Sequence, residues 1–394
     1  MIGRFLSGAH TKIDVADWRR LARKRLPRMI FDYLEGGAGD EAGLQHNRDA
    51  LRRIRFVPDR LIDVSRRGQG GTLFGVPRCS PLMIAPTGLN GLLWPKGDIA
   101  LARAAAQRGI PFALSTAGNA TLEEVAGEAG GDLWFQLYVL QRGLADSLVQ
   151  RACGAGYKGL ILTVDVAVNG LRKRDLRNGF SMPFRYTPRV LADVLSHPRW
   201  LLQVLVSGMP QMRNVQTSAM GDMAAQAALI RREMDATFSW DDMRRLRSQW
   251  PHRLLVKGVL SVEDAQRCIE CGADGVILSN HGGRQMDDLC SPVEVLSRVA
   301  QAVSQPIMAD SGIRSGSDVL KCLALGADSV LLGRAVLYGL AAAGERGAAA
   351  VIASIQEDID RGLALIGCPN TAMLGRRYLT AAPGNPDSRP ASCE

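Results

Sequence analysis

Five side chains carry most of the chemistry open to this chain. His281 is one of only five histidines, and it stands in Ser279-Asn280-His281-Gly282-Gly283-Arg284, where two glycines let the backbone turn sharply. A neutral imidazole takes a proton, and a guanidinium three residues on can grip a carboxylate with two parallel hydrogen bonds. A histidine in a glycine-rich loop is by itself more often structural; with Asp165 available to orient the ring, the balance turns to chemistry. Arg172 is either a second carboxylate clamp or a solvated member of the basic run Arg172-Lys173-Arg174, and its type leaves both readings open. Lys257 ends an apolar run, where an unpaired ammonium is costly, so it must face something electron-rich.

The elements that position these groups follow a beat from Pro81 onward: a short apolar run, a polar loop, an amphipathic helix. The runs that read as strands are Leu82–Pro86, Phe112–Ser115, Leu133–Leu137, Gly159–Asp165, Leu254–Lys257, Gly275–Asn280, Pro306–Asp310 and Ser329–Gly333. Unbroken stretches such as Leu160-Ile161-Leu162 suit strands covered on both faces. Helical patterns lie between them, several opened by a capping residue such as Thr121 or Ser261. The turn Gly272-Ala273-Asp274 before one strand returns as Gly326-Ala327-Asp328 before another. This beat predicts an α/β protein, a closed (β/α)8 barrel of the TIM type rather than an open sheet. Residues 1–80 read as an N-terminal helical cover with helices over Asp14–Leu26 and Pro27–Leu34. Residues 81–378 read as the barrel, 166–240 as a long insertion after the fourth strand, and 379–394 as a flexible tail.

In such a barrel the carboxyl ends of the strands form the working face. They deliver Pro86-Thr87-Gly88, Ser115-Thr116, Gln136 with Tyr138, Thr163 with Asp165, Lys257, the Ser279–Arg284 stretch, Asp310-Ser311-Gly312-Ile313-Arg314 and Gly333-Arg334. Every strand brings a polar or charged group to one rim. Gly312 with Arg314, and Gly333 with Arg334, follow the last two strands. Backbone N–H groups and guanidinium forks there suit a phosphate, so a phosphorylated cofactor is expected.

Composition sets outer limits. The 394 residues are 46% hydrophobic and 22% charged, globular in type and long enough for one large barrel. The 48 Lys and Arg against 39 Asp and Glu leave +9, which attracts anions or anionic surfaces and says nothing of fold. No run of eighteen apolar residues is free of charge, and Met1–Arg20 does not read as a secretory signal. The eight cysteines are therefore expected to be reduced thiols on the cytoplasmic side. Gly37-Ala38-Gly39-Asp40-Glu41-Ala42 fits a dinucleotide-binding pattern but follows a helical stretch, not a strand. Cys268 and Cys271 have zinc or redox spacing without a second pair, so no metal is expected. No G-x-S-x-G elbow marks a serine hydrolase.

Three further stretches point to a family. Phe31-Asp32-Tyr33-Leu34-Glu35-Gly36-Gly37-Ala38, Phe135-Gln136-Leu137-Tyr138-Val139 and Ser279-Asn280-His281-Gly282-Gly283-Arg284-Gln285 resemble the FMN-dependent L-2-hydroxy-acid oxidases and dehydrogenases. The likeness runs from about Asp14 to Tyr378. Within the family, Pro86-Thr87-Gly88-Leu89-Asn90-Gly91, Asp165-Val166-Ala167-Val168-Asn169-Gly170 and His197-Pro198-Arg199-Trp200 look most like bacterial members that oxidise (S)-mandelate. The resemblance implies FMN as cofactor and oxidation of an (S)-2-hydroxy acid, mandelate to phenylglyoxylate first and L-lactate as runner-up. A barrel that has lost its chemistry and only binds membrane is the non-enzyme alternative. By the same resemblance His281 takes the substrate's proton and Asp165 stabilises the imidazolium. Arg172 and Arg284, with Tyr33, hold the carboxylate, and Tyr138 bonds the hydroxyl. Lys257 faces flavin N1 and O2. Pro86, Thr87, Gly88, Ser115, Gln136, Thr163 and Ser279 contact the flavin ring and ribityl chain, while Asp310, Ser311, Gly312, Arg314, Gly333 and Arg334 hold ribityl and phosphate. Glycolate-oxidising members carry a tryptophan where this chain has Ala117, and commonly an alanine where it has Gly88. The small Ala117 leaves room for a bulky substrate.

Residues 172–213 combine eight basic and two acidic side chains with many apolar and aromatic ones, among them Phe184, Trp200 and Leu205. That mixture suits a segment, about 172–215, lying in an anionic membrane interface through 181–215, or else a lid over the site. Nucleic-acid binding would need a module that is not found. Membrane-bound family members resemble the chain here. They imply a peripheral protein on the cytoplasmic face of the bacterial inner membrane, electrons passing to a quinone, and a homotetramer.

Overall fold

The computed structural model describes residues 14–180, 187–216 and 234–380. The tail beyond 380 and residues 181–186 of the proposed membrane segment lie outside these described residues, as do 217–233 of the insertion. A hairpin of β1 (Gly71–Leu73) and β2 (Val76–Arg78) precedes the barrel strands β3 (Leu82–Thr87), β4 (Phe112–Ser115), β5 (Leu133–Leu137), β6 (Gly159–Thr163), β7 (Arg253–Val259), β8 (Gly275–Leu278), β9 (Ile307–Ala309) and β10 (Ser329–Leu332). All eight are parallel, and β10 pairs back to β3 to close the barrel. The fold class read from the sequence is the observed one. Predicted strands differ from the observed ones at their ends: Gly159–Asp165 stops at Thr163 and Gly275–Asn280 at Leu278, because Asp165 and Asn280 have already turned towards the rim, and Pro306–Asp310 shortens to Ile307–Ala309.

Both faces of each strand are covered, which is why the strands read as unbroken apolar runs. Met83, Ala113, Trp134, Ile161, Leu255 and their counterparts on the other strands pack inside the barrel, and the opposite faces pack on the helices. Trp134 leaves no room for a Cβ at Gly159, so β6 must begin with glycine. The hairpin joins this interior through Leu73, and the Phe74 ring lies 5.9 Å from Trp134. The repeated turn has a clear purpose. Gly272 and Gly326 take φ of +96° and +107°, and the following aspartates reach back to the preceding strand. Asp274 accepts from the Leu254 N–H, and Asp328 from the Ile307 N–H, each at 2.8 Å.

The cover is built from α1 (Val15–Arg25), α2 (Arg28–Glu35) and α3 (Ala42–Arg53). The third helix is absent from the sequence reading, and its cap explains why. Glu41, before it, has a left-handed backbone and no capping bond. The Asp287 carboxylate, in the loop after β8, supplies the cap, accepting the Asp40 and Gly43 N–H groups at 2.6 and 3.0 Å.

The described part of the insertion is helical rather than a bare loop, with Pro188–Leu195 and Pro198–Ser207 its main helices. Trp200 and Asn214 are among the residues that tie it to the barrel rim. The Trp200 indole donates to Leu92 O at 2.8 Å, and the Asn214 amide bonds the Leu122 N–H and Ala120 O. A last helical run, Arg334–Ile366, breaks at Ala343–Gly344. It is the one described helix long and apolar enough to cross a membrane, yet most of it is buried against α1 and the helix Gly97–Gln107, as a core helix. Cys268 and Cys271 close the helix Val262–Glu270 as free, buried thiols, and burial pushes the Cys268 thiol up to about 12.

Candidate active site

A cavity opens at the carboxyl rim, lined by side chains from the strand ends and from α2. After β8 the backbone runs through three successive left-handed residues, His281, Gly282 and Gly283, with φ of +58°, +64° and +71°. A non-glycine residue in that region is unusual and must be held there. The Ser279 hydroxyl accepts the His281 N–H at 3.0 Å, Ser311 accepts the Gly282 N–H at 3.0 Å, and Asn280 Oδ1 accepts the Gly283 N–H at 3.1 Å. The turn throws the imidazole over the cavity. Its Nδ1 lies 3.0 Å from Asp165 Oδ1 and its Nε2 lies 3.3 Å from the Tyr138 hydroxyl.

Asp165 is buried. Burial alone would raise its carboxyl, but His281 and then Lys257 overcome that and hold it below the usual carboxylate range. It therefore stays ionised at neutral pH and fixes Nδ1 as the protonated ring nitrogen, leaving Nε2 to accept a proton. Its place depends on Gly258, where β7 bulges at φ +106° and any Cβ would meet the Asp165 side chain. Lys257, next to that bulge, donates to the Ser279 hydroxyl at 2.8 Å and lies 3.4 Å from Asp310 Oδ2. Burial pulls its pKa down, yet the carboxylates of Asp310 and Asp165 win and keep it a cation. One ammonium thus faces the cavity floor at the foot of the histidine.

The arginines converge on Tyr33. The Arg284 guanidinium carbon lies 5.1 Å from the Tyr33 ring centre, and that of Arg172 lies 5.6 Å away. Phe180 stacks on the same ring at 4.3 Å. Arg284 also donates to Tyr33 O and Gly36 O at 2.9 and 2.8 Å, so it pins α2 to the catalytic loop. Arg172 is not a solvated surface residue: its side chain is 10% exposed and its Nε lies 3.3 Å from Asp175 Oδ2. That removes the reading of Arg172 as a solvated member of the basic run. Arg284 and Tyr33 reach the cavity wall directly, while Arg172 stands behind Tyr33.

Pro86, Thr87, Gly88, Ser115, Lys257, Asp310, Ser311, Gly312, Arg314, Gly333 and Arg334 all line the cavity. Gln136, Thr163 and Ser279 lie just beneath it. Ser115 donates to Gln136 Oε1 at 2.8 Å and Gln136 Nε2 to Thr163 Oγ1 at 3.0 Å, a relay across three strands. At the far end Arg334 donates to Leu34 O, Gly36 O and Gly282 O, so part of its fork serves the fold and two N–H groups remain for a ligand. The donor set fits a planar phosphorylated cofactor: a buried cation at one end, and glycine N–H groups with two guanidiniums at the other. No cluster of three or more metal-ligating side chains occurs among the described residues.

Some residues of the site were not singled out from sequence. Asn47 of α3 and Asn280 exchange amide hydrogen bonds at 2.9 and 2.7 Å. The Ala38 N–H donates to Gly283 O at 2.9 Å, so the glycines of the false dinucleotide pattern bring the cover against the histidine loop. Asp98, buried, accepts from Asn90 Nδ2 and from the Asn119 and Ala120 N–H groups, tying together the two loops that carry Thr87 and Ala117. Gly88 and Ala117 share one space, since a Cβ on Gly88 would come within 2.8 Å of the Ala117 Cβ.

Comparison with known proteins adds to this geometry. The sequence profile of the FMN-dependent dehydrogenases matches residues 22–381. (S)-mandelate dehydrogenase of Pseudomonas putida is 56% identical over 366 residues, 93% of each chain. L-lactate dehydrogenase of Caulobacter vibrioides is 40% identical over 372 residues, 93% of this chain and 97% of that one. The crystal structure of the monotopic membrane protein (S)-mandelate dehydrogenase superposes with a TM-score of 0.90 at 55% identity, over 93% of this chain and 98% of that one. A crystal structure of mandelate oxidase with (S)-2-phenylpropionate superposes with a TM-score of 0.78 at 36% identity, covering 94% of this chain and 98% of that one.

Proposed function

This chain belongs to the family of FMN-dependent dehydrogenases, and from that premise we propose that it oxidises (S)-mandelate to phenylglyoxylate. The observation that carries the reading is the imidazole of His281, held between Asp165 and Tyr138 with Arg284 and Tyr33 on the same wall. The substrate carboxylate binds to Arg284, with Arg172 acting from behind Tyr33. This sets the α-carbon and hydroxyl against Tyr138 and Nε2. His281 accepts one proton of the substrate, and the ionised Asp165 stabilises the imidazolium that forms. FMN, when bound, supplies the two-electron acceptor. Lys257 would hold its positive charge towards the flavin ring, and Gly312, Gly333, Arg314 and Arg334 would hold the phosphate.

The test is anaerobic bleaching of the flavin by (S)-mandelate, (R)-mandelate, L-lactate and glycolate, compared side by side. (S)-mandelate is expected to be fastest and its mirror image inert. Faster reduction by L-lactate would transfer the assignment to that acid, and a flavin that none of them bleaches would leave only a membrane-binding barrel. Ala117→Trp tests the pocket itself. Filling the space beside Gly88 is expected to slow reduction by (S)-mandelate at least about tenfold relative to glycolate, the scale on which apolar pockets discriminate. Equal losses on both acids would remove the argument for Ala117.

We place the protein on the cytoplasmic face of the inner membrane, as a homotetramer that hands electrons to a quinone. Support for the membrane part comes from the monotopic relative and from the insertion's outward face, where Leu191, Leu195, Leu202, Leu205 and Val206 are exposed beside Arg189 and Arg199. In this reading residues 172–215 form the membrane-binding insertion, 81–378 the catalytic barrel, and 1–80 a cover that completes the site.

A further inference from the structure

Behind the phosphate end of the main cavity lies a second chamber, and the two share Gly282, Gly312, Arg314 and Arg334 as a common wall. The opposite side of the chamber comes from the cover, and it brings a further guanidinium, Arg48 of α3. Four arginines therefore line one place: Arg314 and Arg334 from the barrel strand ends, and Arg19 and Arg48 from the cover, of which Arg19 is paired with Glu35.

Like charges gathered in a half-buried chamber repel one another unless an anion sits among them. The chamber's own carboxylates act on Arg334 through space, but their hydrogen bonds go elsewhere. Glu35 is engaged by Arg19 and the Tyr338 hydroxyl, each at 2.8 Å, and Glu41 by Arg174 and the Gly37 N–H. Asp318 acts on Arg48 through space, but its carboxylate accepts the Arg314 backbone N–H at 3.0 Å. Arg48 has no ion pair with a carboxylate among the described residues. Burial first, and then Arg314, push Arg48 and Arg334 below the ordinary arginine range, and the opposing pull of Asp318 on Arg48 and of Glu35 and Glu41 on Arg334 does not offset this.

We propose that Arg48 is a third guanidinium acting on the phosphate of the bound cofactor, so that FMN binds the N-terminal cover to the barrel. The inference rests on the reading of this end of the site as the phosphate end. It gives α3 a function beyond packing. The helix is capped by Asp287, joined to the catalytic loop through Asn47 and Asn280, and drawn down on its outer turn by the cofactor itself.

The full-length chain, stripped of flavin and titrated with FMN or with riboflavin, separates phosphate recognition from everything else. Arg48→Met is expected to weaken FMN binding about tenfold to a hundredfold, the worth of one charge-assisted hydrogen bond, and to change riboflavin binding less than about twofold. Arg48→Lys, which keeps the charge, is expected to recover most of the loss. In the parent protein FMN, but not riboflavin, slows amide hydrogen exchange across α3, and Arg48→Met abolishes the difference. Unchanged FMN affinity, or equal weakening of both flavins, overturns the proposal. Neither measurement involves the substrate, so that failure leaves the hydroxy-acid reading standing, whereas a parent chain that takes up neither flavin overturns both.

Discussion

Replacing His281 with asparagine is expected to slow reduction of the flavin by (S)-mandelate about a thousandfold to ten-thousandfold, the upper range for loss of a positioned base. Asparagine is the informative choice because its amide can still donate to Asp165 Oδ1 from near the place of Nδ1, while nothing replaces Nε2. The loop should keep its three supporting hydrogen bonds, since these run from backbone N–H groups to Ser279, Asn280 and Ser311 rather than from the ring. FMN content is therefore expected to match the parent enzyme, which absorbance of the purified protein checks directly. Asp165→Asn removes the charge that stabilises the imidazolium, and its own loss should be large. Because the two residues act as one unit, the double variant should be little slower than His281→Asn alone. Stopped-flow traces under anaerobic conditions measure all three. Turnover by His281→Asn within tenfold of the parent would remove the imidazole from the mechanism, and fully multiplicative losses would break the link between Asp165 and the ring.

The same pair shows what can be read from a chain before its structure is known. Asp165 and His281 are 116 positions apart, yet both follow strands of one parallel barrel, and that places both side chains on one rim. The strands themselves were legible because burial on two faces leaves an unbroken apolar signature, and two of them follow a turn whose glycine and aspartate have definite jobs. Other features depend on partners that local patterns cannot show. Helix α3 is capped by Asp287, 244 residues beyond Gly43, so no starting signal stands beside it. Gly258 matters only because the Asp165 side chain passes over it. The state of Arg172 hinged on Asp175 and Tyr33 closing around it, which a run of basic residues disguises as a wet surface.

Turning the outward face of the insertion polar is expected to release the protein from membranes without touching its chemistry. In the helix Pro198–Ser207, Trp200 points inward to Leu92 O, while Leu202, Leu205 and Val206, spaced three and four apart, share the outer face at 62%, 71% and 79% exposure. Leu191 and Leu195 repeat the spacing on Pro188–Leu195. One face anchors each helix, and the other offers apolar side chains flanked by exposed Arg189 and Arg199. That arrangement suits a helix lying at the boundary between headgroups and acyl chains. Burying a leucine-sized side chain contributes about 1.5–3 kcal/mol, so even partial burial of three makes most of the attachment. The triple substitution Leu202→Asp, Leu205→Asp and Val206→Asp should lower partitioning onto vesicles of anionic lipid about a hundredfold or more on that scale. High salt alone should loosen the parent protein only in part, because it screens the arginines and leaves the apolar contact intact. Flavin content and the rate of bleaching by (S)-mandelate should stay at parent values, since none of the three residues lines the cavity. A triple variant that still sediments with vesicles but has lost its bleaching would mean that these helices close over the site as a lid instead, their apolar face turned to the substrate rather than to lipid.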